Sequence, residues 1–222
     1  MFDRVAARYD LLNSLMSAGL HHRWRERAAD IAAPVPGDSI LDVCCGTGDL
    51  TFELAGRVAP GGHVVGCDFS EPMLDLARDK AETRAASGVR FEWADALNLP
   101  YDADRFDVAT VGFGVRNFAD RERGLRELNR VLRPGGKLVV LEFTKPRRPP
   151  FSTFYSLWFD RLAPVLGRLS DDPEAYAYLT ESLNTFPGPH GLAEKMDAAG
   201  LSQIRYTVLA GGIVTIHSGV AG

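Results

Sequence analysis

The chain has 222 residues, 45% apolar and 24% charged, and its 25 basic and 29 acidic side chains leave a net charge of −4. That balance excludes wholesale disorder, collagen and coiled coil, and it gives no global bias toward nucleic acid. A chain of this length buries a full core without a disulfide or metal staple; no apolar run reaches the ~18 residues of a membrane-spanning helix, and Met1-Phe2-Asp3-Arg4 opens without an apolar leader.

In chain order, the apolar spacing of Val5, Tyr9, Leu12, Leu15 and Met16 predicts a helix over 3–16. Gly19 separates it from a second helix over 21–33. A Pro34-Pro36-Gly37 turn leads into a short apolar strand, Ser39–Cys44. Strands and helices then alternate: helix 50–58, strand 63–67, helix 72–86, strands 89–93 and 106–111, helix 121–132, a Pro134-Gly135-Gly136 turn and strand 137–143. The inner strands Val108-Ala109-Thr110-Val111 and Leu138-Val139-Val140-Leu141 are continuous apolar runs, which a sheet covered on both faces requires. Repeated strand–helix–strand order predicts an α/β fold with a doubly wound, mostly parallel sheet. A basic, proline-rich connector over 145–150 follows, then an aromatic amphipathic segment over 151–169 and helices over 173–185 and 189–199. Two β-runs, 204–209 and 213–217, flank Gly211-Gly212 and read as an antiparallel hairpin, the sixth and seventh strands.

The three cysteines, Cys44, Cys45 and Cys67, form no CxxC pair and read as small buried thiols rather than a zinc or redox site. Leu41-Asp42-Val43-Cys44-Cys45-Gly46-Thr47-Gly48 is a strand entering a Gly-x-Gly loop and a helix. The third glycine of the dinucleotide fingerprint is replaced by Thr51, and Asp49 at the helix start repels a pyrophosphate. The loop therefore suits a ligand without phosphates. Asp68 ends the second strand 22 residues past Gly46, where a carboxylate accepts both ribose hydroxyls of a nucleoside. Asp95-Ala96 follows the third strand, where a side chain and a backbone N–H can read an adenine edge. An acid-lined nucleoside site fits S-adenosylmethionine, with Tyr9 or Phe69 facing its sulfonium or its adenine.

Asp42-x-x-x-Gly46-x-Gly48, Asp68 and Asp95-Ala96 resemble the class I S-adenosylmethionine-dependent methyltransferases. More narrowly, three segments are similar to signatures of the ubiquinone/menaquinone biosynthesis C-methyltransferase family. They are Tyr9-Asp10-x-x-Asn13-x-x-Met16-Ser17-x-x-x-His21-x-x-Trp24, the stretch Arg130–Thr144 containing Arg133-Pro134-Gly135-Gly136 and Leu141-Glu142, and Gly211-Gly212-Ile213-Val214-x-x-His217. The resemblance spans nearly the whole chain. It implies a Rossmann-like sheet of seven strands in a single domain over 1–222, with N-terminal helices in 1–33 and a helical lid insertion over 145–199. It also implies cofactor contacts at Gly46, Thr47, Gly48, Asp68, Asp95 and Ala96, with Gly112 standing where some members carry serine.

The activity implied is methyl transfer to a ring carbon of demethylmenaquinol, needing no metal. Benzoquinol methylation and a non-catalytic cofactor-binding scaffold are the alternatives. A ring carbon becomes nucleophilic as the quinol hydroxyl ionises, and a phenol's pKa is ~10, so a cation or base should assist. Arg116 is expected to stabilise the phenolate, its structural alternative being an ion pair with Asp120 or Glu122, and Asn117 to orient an oxygen. Asp95, His21 and His217 are further groups weighed as bases. The partner is a polyprenyl quinol. Segment 151–169 reads as an apolar cover touching the inner face of the membrane from the cytoplasm, or as plain packing or a homodimer contact. Nucleic-acid methylation is disfavoured, since Val111-Gly112-Phe113-Gly114 stands where Asn/Asp-Pro-Pro-aromatic would, and no cysteine lies beyond 67.

Overall fold

The computed structural model describes residues 19–146 and 181–222, together with Pro149 and Thr153. The helix expected over 3–16 with Tyr9, the 151–169 segment apart from Thr153, and residues 173–180 lie outside the described residues. The elements are α1 (Leu20–Ala32), β1 (Ser39–Val43), α2 (Asp49–Val58), β2 (His63–Asp68), α3 (Glu71–Thr83), β3 (Val89–Trp93), β4 (Phe106–Gly112), α4 (Arg121–Val131), β5 (Leu132–Phe143), α5 (Pro189–Ala198), β6 (Leu201–Leu209) and β7 (Val214–Ala221).

The seven strands form one sheet in the order β3-β2-β1-β4-β5-β7-β6. β1 to β5 pair in parallel, while β7 runs antiparallel to both β5 and β6. The expected hairpin is present, with a sheet order its local pattern does not carry: β7 is inserted between β5 and β6. Every residue of β1 is buried, and its alternation divides the core in two. Ile40 points to one face with Val64, Val108 and Val139, under Trp24 and Ala28 of α1 and Leu54 of α2. Leu41 and Val43 point to the other with Val65, Val111 and Val140, under Leu125 and Leu128 of α4 and Leu192 of α5. Each such aliphatic side chain contributes roughly 1.5–3 kcal/mol by leaving water, which is why these strands read as runs.

One local expectation is revised. The turn at Pro134–Gly136 does not precede β5; it bulges out within it. Leu132 pairs with Phe106 and Lys137 with Val108, so the Arg133–Gly136 stretch is extruded between two paired positions. Ser70 stands at the N-cap of α3 but makes no capping bond through its side chain; instead its N–H donates to Asp68 Oδ1 at 2.9 Å. By contrast Asp120 caps α4, accepting from the Arg123 N–H at 2.9 Å.

Strand order reverses about β1, which has β2 on one side and β4 on the other. Open α/β sheets place ligand crevices at such a switch point, beyond the carboxyl ends of the strands.

Candidate active site

β1 delivers Asp42 into the sheet and then turns sharply through Cys44, which adopts a left-handed φ of 56°. The glycine loop is tied to β2 by two bonds: Cys45 N–H donates to Cys67 O at 3.0 Å, and Gly46 N–H donates to Asp68 Oδ2 at 2.9 Å. With Oδ1 held by Ser70, the Asp68 carboxylate is oriented from two sides. Gly48 has φ 85°, and a Cβ there would lie 2.8 Å from Phe91 Cζ. Gly48→Ala is therefore expected to cost about 1–3 kcal/mol through strain and overpacking. Urea unfolding checks this, and an unchanged midpoint would contradict it.

Beneath the loop, Asp42 is fully buried and accepts from Thr51 Oγ1 and Thr110 Oγ1, both at 2.6 Å, joining β1, α2 and β4. Burial pushes its carboxyl up to about 6 from 3.8, against the opposing pull of the two hydroxyls and of Arg25. Folded Asp42 thus keeps its proton in a range where the unfolded chain has lost it. Stability contributed at low pH is lost as pH rises from about 4 to about 6, a change of about 3 kcal/mol. Asp42→Asn should abolish that slope, so the stability difference between variant and parent should move by that amount in the variant's favour between pH 4 and pH 7. Parallel profiles in urea unfolding would sink the assignment.

A cavity of about 370 Å³ opens at the strand tips, within the size range of small-molecule sites. Of the residues singled out in the sequence, Gly46, Asp68, Asp95, Ala96 and Asn117 line it. Thr47 lies in a smaller adjoining pocket, and Gly48 and Arg116 line neither. Asp95 accepts from the Leu97 N–H at 2.9 Å, which fixes its turn. Phe69 also lines the cavity, 67% exposed, with Trp93 beside it at 5.3 Å between ring centroids and donating its indole N–H to Phe69 O at 2.9 Å. Among the described residues, Asn117 Oδ1 is a buried acceptor without a hydrogen-bond partner.

Arg116 is not held as a free cation. It is buried, and Nη1 donates to Glu142 Oε1 at 2.6 Å and to Phe113 O at 2.5 Å, while its backbone N–H donates to Glu142 Oε2 at 3.2 Å. Its partner is neither acid expected from the helix that follows: Asp120 caps α4, and Glu122 pairs with Lys195 at 2.7 Å. Glu142, at 0% exposure on β5, neutralises Arg116 and clamps the 113–117 turn that carries Asn117. The role of Glu142 is invisible in its local sequence, where it is one polar residue inside an apolar strand.

Burial pushes the thiols of Cys44, Cys45 and Cys67 upward, with the nearby carboxylates adding to the effect, so they remain protonated and unsuited to nucleophilic chemistry. His217 lies away from the cavity. Burial pushes its pKa down and favours the neutral ring, while a bond between Nε2 and Pro189 O at 2.8 Å pulls the other way. His21 is buried in α1, with one ring nitrogen within 4.8 Å of ligand atoms of His22 and Asp49.

Solved structures sharing this fold include a SAM-dependent methyltransferase from Aquifex aeolicus (TM-score 0.67, 18% identity, 89% of each chain). A second is a complex of the Haloferax volcanii Trm112 methyltransferase activator with a putative methyltransferase (TM-score 0.73, 19% identity, 100% of this chain and 97% of the other). The sheet order thus gives the chain the fold of these solved structures. Residues 1–221 match the ubiE/COQ5 methyltransferase family, and the chain belongs to it. Among its relatives, the demethylmenaquinone methyltransferase of Thermus thermophilus is 51% identical over 220 residues, 99% of both chains. The ubiquinone/menaquinone biosynthesis C-methyltransferase UbiE of Stutzerimonas stutzeri is 42% identical over 222 residues, 99% of this chain and 87% of that protein.

Proposed function

We propose that this protein transfers a methyl group from S-adenosylmethionine to a ring carbon of demethylmenaquinol, giving menaquinol. The observation that carries the substrate assignment is the 51% identity, end to end, with a relative named for that reaction. The cavity fits the cofactor: Asp68 is preset to accept ribose hydroxyls, Asp95 and Ala96 line the wall suited to an adenine edge, and no phosphate need approach Asp49. When bound, S-adenosylmethionine supplies an electrophilic methyl on a sulfonium.

This chain's own contribution is alignment, which is worth several kcal/mol (up to ~7–11 in ideal cases). Asn117, on the cavity wall, orients the quinol oxygen and turns the ring carbon toward the methyl. Arg116 acts one step removed: paired with Glu142, it holds the turn that aims Asn117. No helix among the described residues is long and apolar enough to cross a membrane. We take the cytoplasmic face of the membrane to be where the polyprenyl quinol is met.

The test is an assay of the purified protein with S-adenosylmethionine and reduced demethylmenaquinone, with product identified by mass spectrometry. Ring methylation is expected. Faster methylation of the corresponding benzoquinol would move the assignment to that substrate, and cofactor binding without turnover would favour a scaffold role.

A further inference from the structure

The residue that follows β4 breaks the strand's alternation. Along β4, Ala109 and Val111 face α4 and α5, while Val108 faces α1 and α2; continued alternation would put residue 113 with Val111. Phe113 instead adopts a left-handed φ of 60°, which a bulky L-residue enters only at a cost. Its ring is thereby thrown to the α1 side of the sheet. There it stacks on Phe143 of β5, with 4.5 Å between centroids and 29° between planes, and meets Trp24 of α1 edge-on at 6.5 Å. The backbone is held on both sides of the ring: Phe113 N–H donates to Leu141 O at 2.7 Å, and Phe113 O accepts from Arg116 Nη1 at 2.5 Å. Neither neighbouring glycine has a positive φ. Gly114 serves close packing instead, since a Cβ there would lie 2.5 Å from Cys44 Cβ. Glycine at 113 would reach the same φ freely, yet the costly conformation falls on a residue with a ring.

Packing against Phe143 and Trp24 does not use up this ring, because Phe113 stays partly exposed and lines the main cavity. The cavity wall changes character across the sheet. Its two carboxylates, Asp68 and Asp95, stand at the tips of β2 and β3, whereas the β4 end is walled by Phe113, Asn117 and Phe118. We infer that Phe113 is the platform on which the quinol ring stacks, and that it sets the preference for a two-ring quinol over a one-ring quinol. The inference rests on the quinol methylation proposed above. Phe143 backs one face of the phenyl ring and Trp24 guards an edge, so the remaining face receives the substrate in the offset stack that aromatic pairs prefer. Asn117, later in the same turn, then lies beside the substrate's oxygen. A naphthoquinol brings a second fused ring that extends the overlap, and a benzoquinol has none to bring. The stack forms in the ground state and the transition state alike, so its loss appears in KM rather than in kcat.

Phe113→Leu keeps an apolar side chain and removes the flat face. With reduced demethylmenaquinone it is expected to raise KM about 5–10-fold while kcat stays within about 2-fold, the size of one aromatic pair. Phe113→Tyr retains the face and is expected to recover most of the loss. Calorimetry on the protein loaded with S-adenosylhomocysteine reads the platform without turnover, using the redox-stable probes α-naphthol and phenol. In the leucine variant α-naphthol is expected to weaken about 5–10-fold and phenol less than about 3-fold. S-adenosylhomocysteine itself should stay within about 2-fold, which reports an intact fold. A leucine variant that binds α-naphthol as the parent does, weakens both probes alike, or loses S-adenosylhomocysteine as well, overturns the platform and leaves methyl transfer standing. A parent protein that shows the expected probe contrast with its leucine variant but methylates no quinol overturns the methyl-transfer reading instead.

Discussion

Glu142→Ala is expected to lower the unfolding free energy by about 3–5 kcal/mol, because it leaves the Arg116 guanidinium buried without its counter-charge. At about 2–4 °C per kcal/mol for a chain of this size, the melting temperature should fall by roughly 10 °C. The cost of an orphaned charge far exceeds the net worth of the pair. The double variant Glu142→Leu with Arg116→Met is therefore expected to recover most of the lost stability while still lowering turnover, since the turn bearing Asn117 loses its clamp. Thermal melts and the methyl-transfer assay read the two effects separately. A free phenolate-binding role for Arg116 predicts the reverse, with Arg116→Ala stable and inactive and Glu142→Ala close to neutral in stability.

Asp68→Ala is expected to weaken S-adenosylmethionine about 100-fold, roughly 3 kcal/mol, as measured by calorimetry. Two losses combine. The carboxylate that would accept ribose hydroxyls is gone, and so are the acceptors that hold Gly46 N–H and Ser70 N–H and set the shape of the loop. Asp68→Asn retains one acceptor oxygen and should fall between the variant and the parent. Affinity within about 3-fold of the parent would place the nucleoside elsewhere and remove the basis for the cofactor assignment.

Much of the architecture was legible in the residues. The apolar runs of β4 and β5 announced a two-faced sheet because each side of those strands meets a layer of helices. Glycine at 46 and 48 and acids at 68 and 95 pointed to a site at the strand tips, and Gly46, Asp68 and Asp95 line one cavity. Arg116 was the misleading position. A lone arginine after a strand in a glycine-rich turn looks available for substrate, and the acids nearest in sequence looked like its alternatives. Its counter-ion stands 26 residues away on β5, where β4 and β5 lying side by side bring the two together.

By itself the sequence determined the order of strands and helices, the glycine loop and the acids at the strand tips. Each of these is written in local spacing, in the polarity of neighbours and in the conformations glycine permits. The tertiary structure alone decided that β7 enters between β5 and β6, that Glu142 takes the charge of Arg116, and that Arg25 of α1 meets Asp49 of α2. Those outcomes join residues far apart in the chain. Such contacts are selected by which buried faces and charges can be satisfied together once the layers pack, a condition no single stretch of residues records.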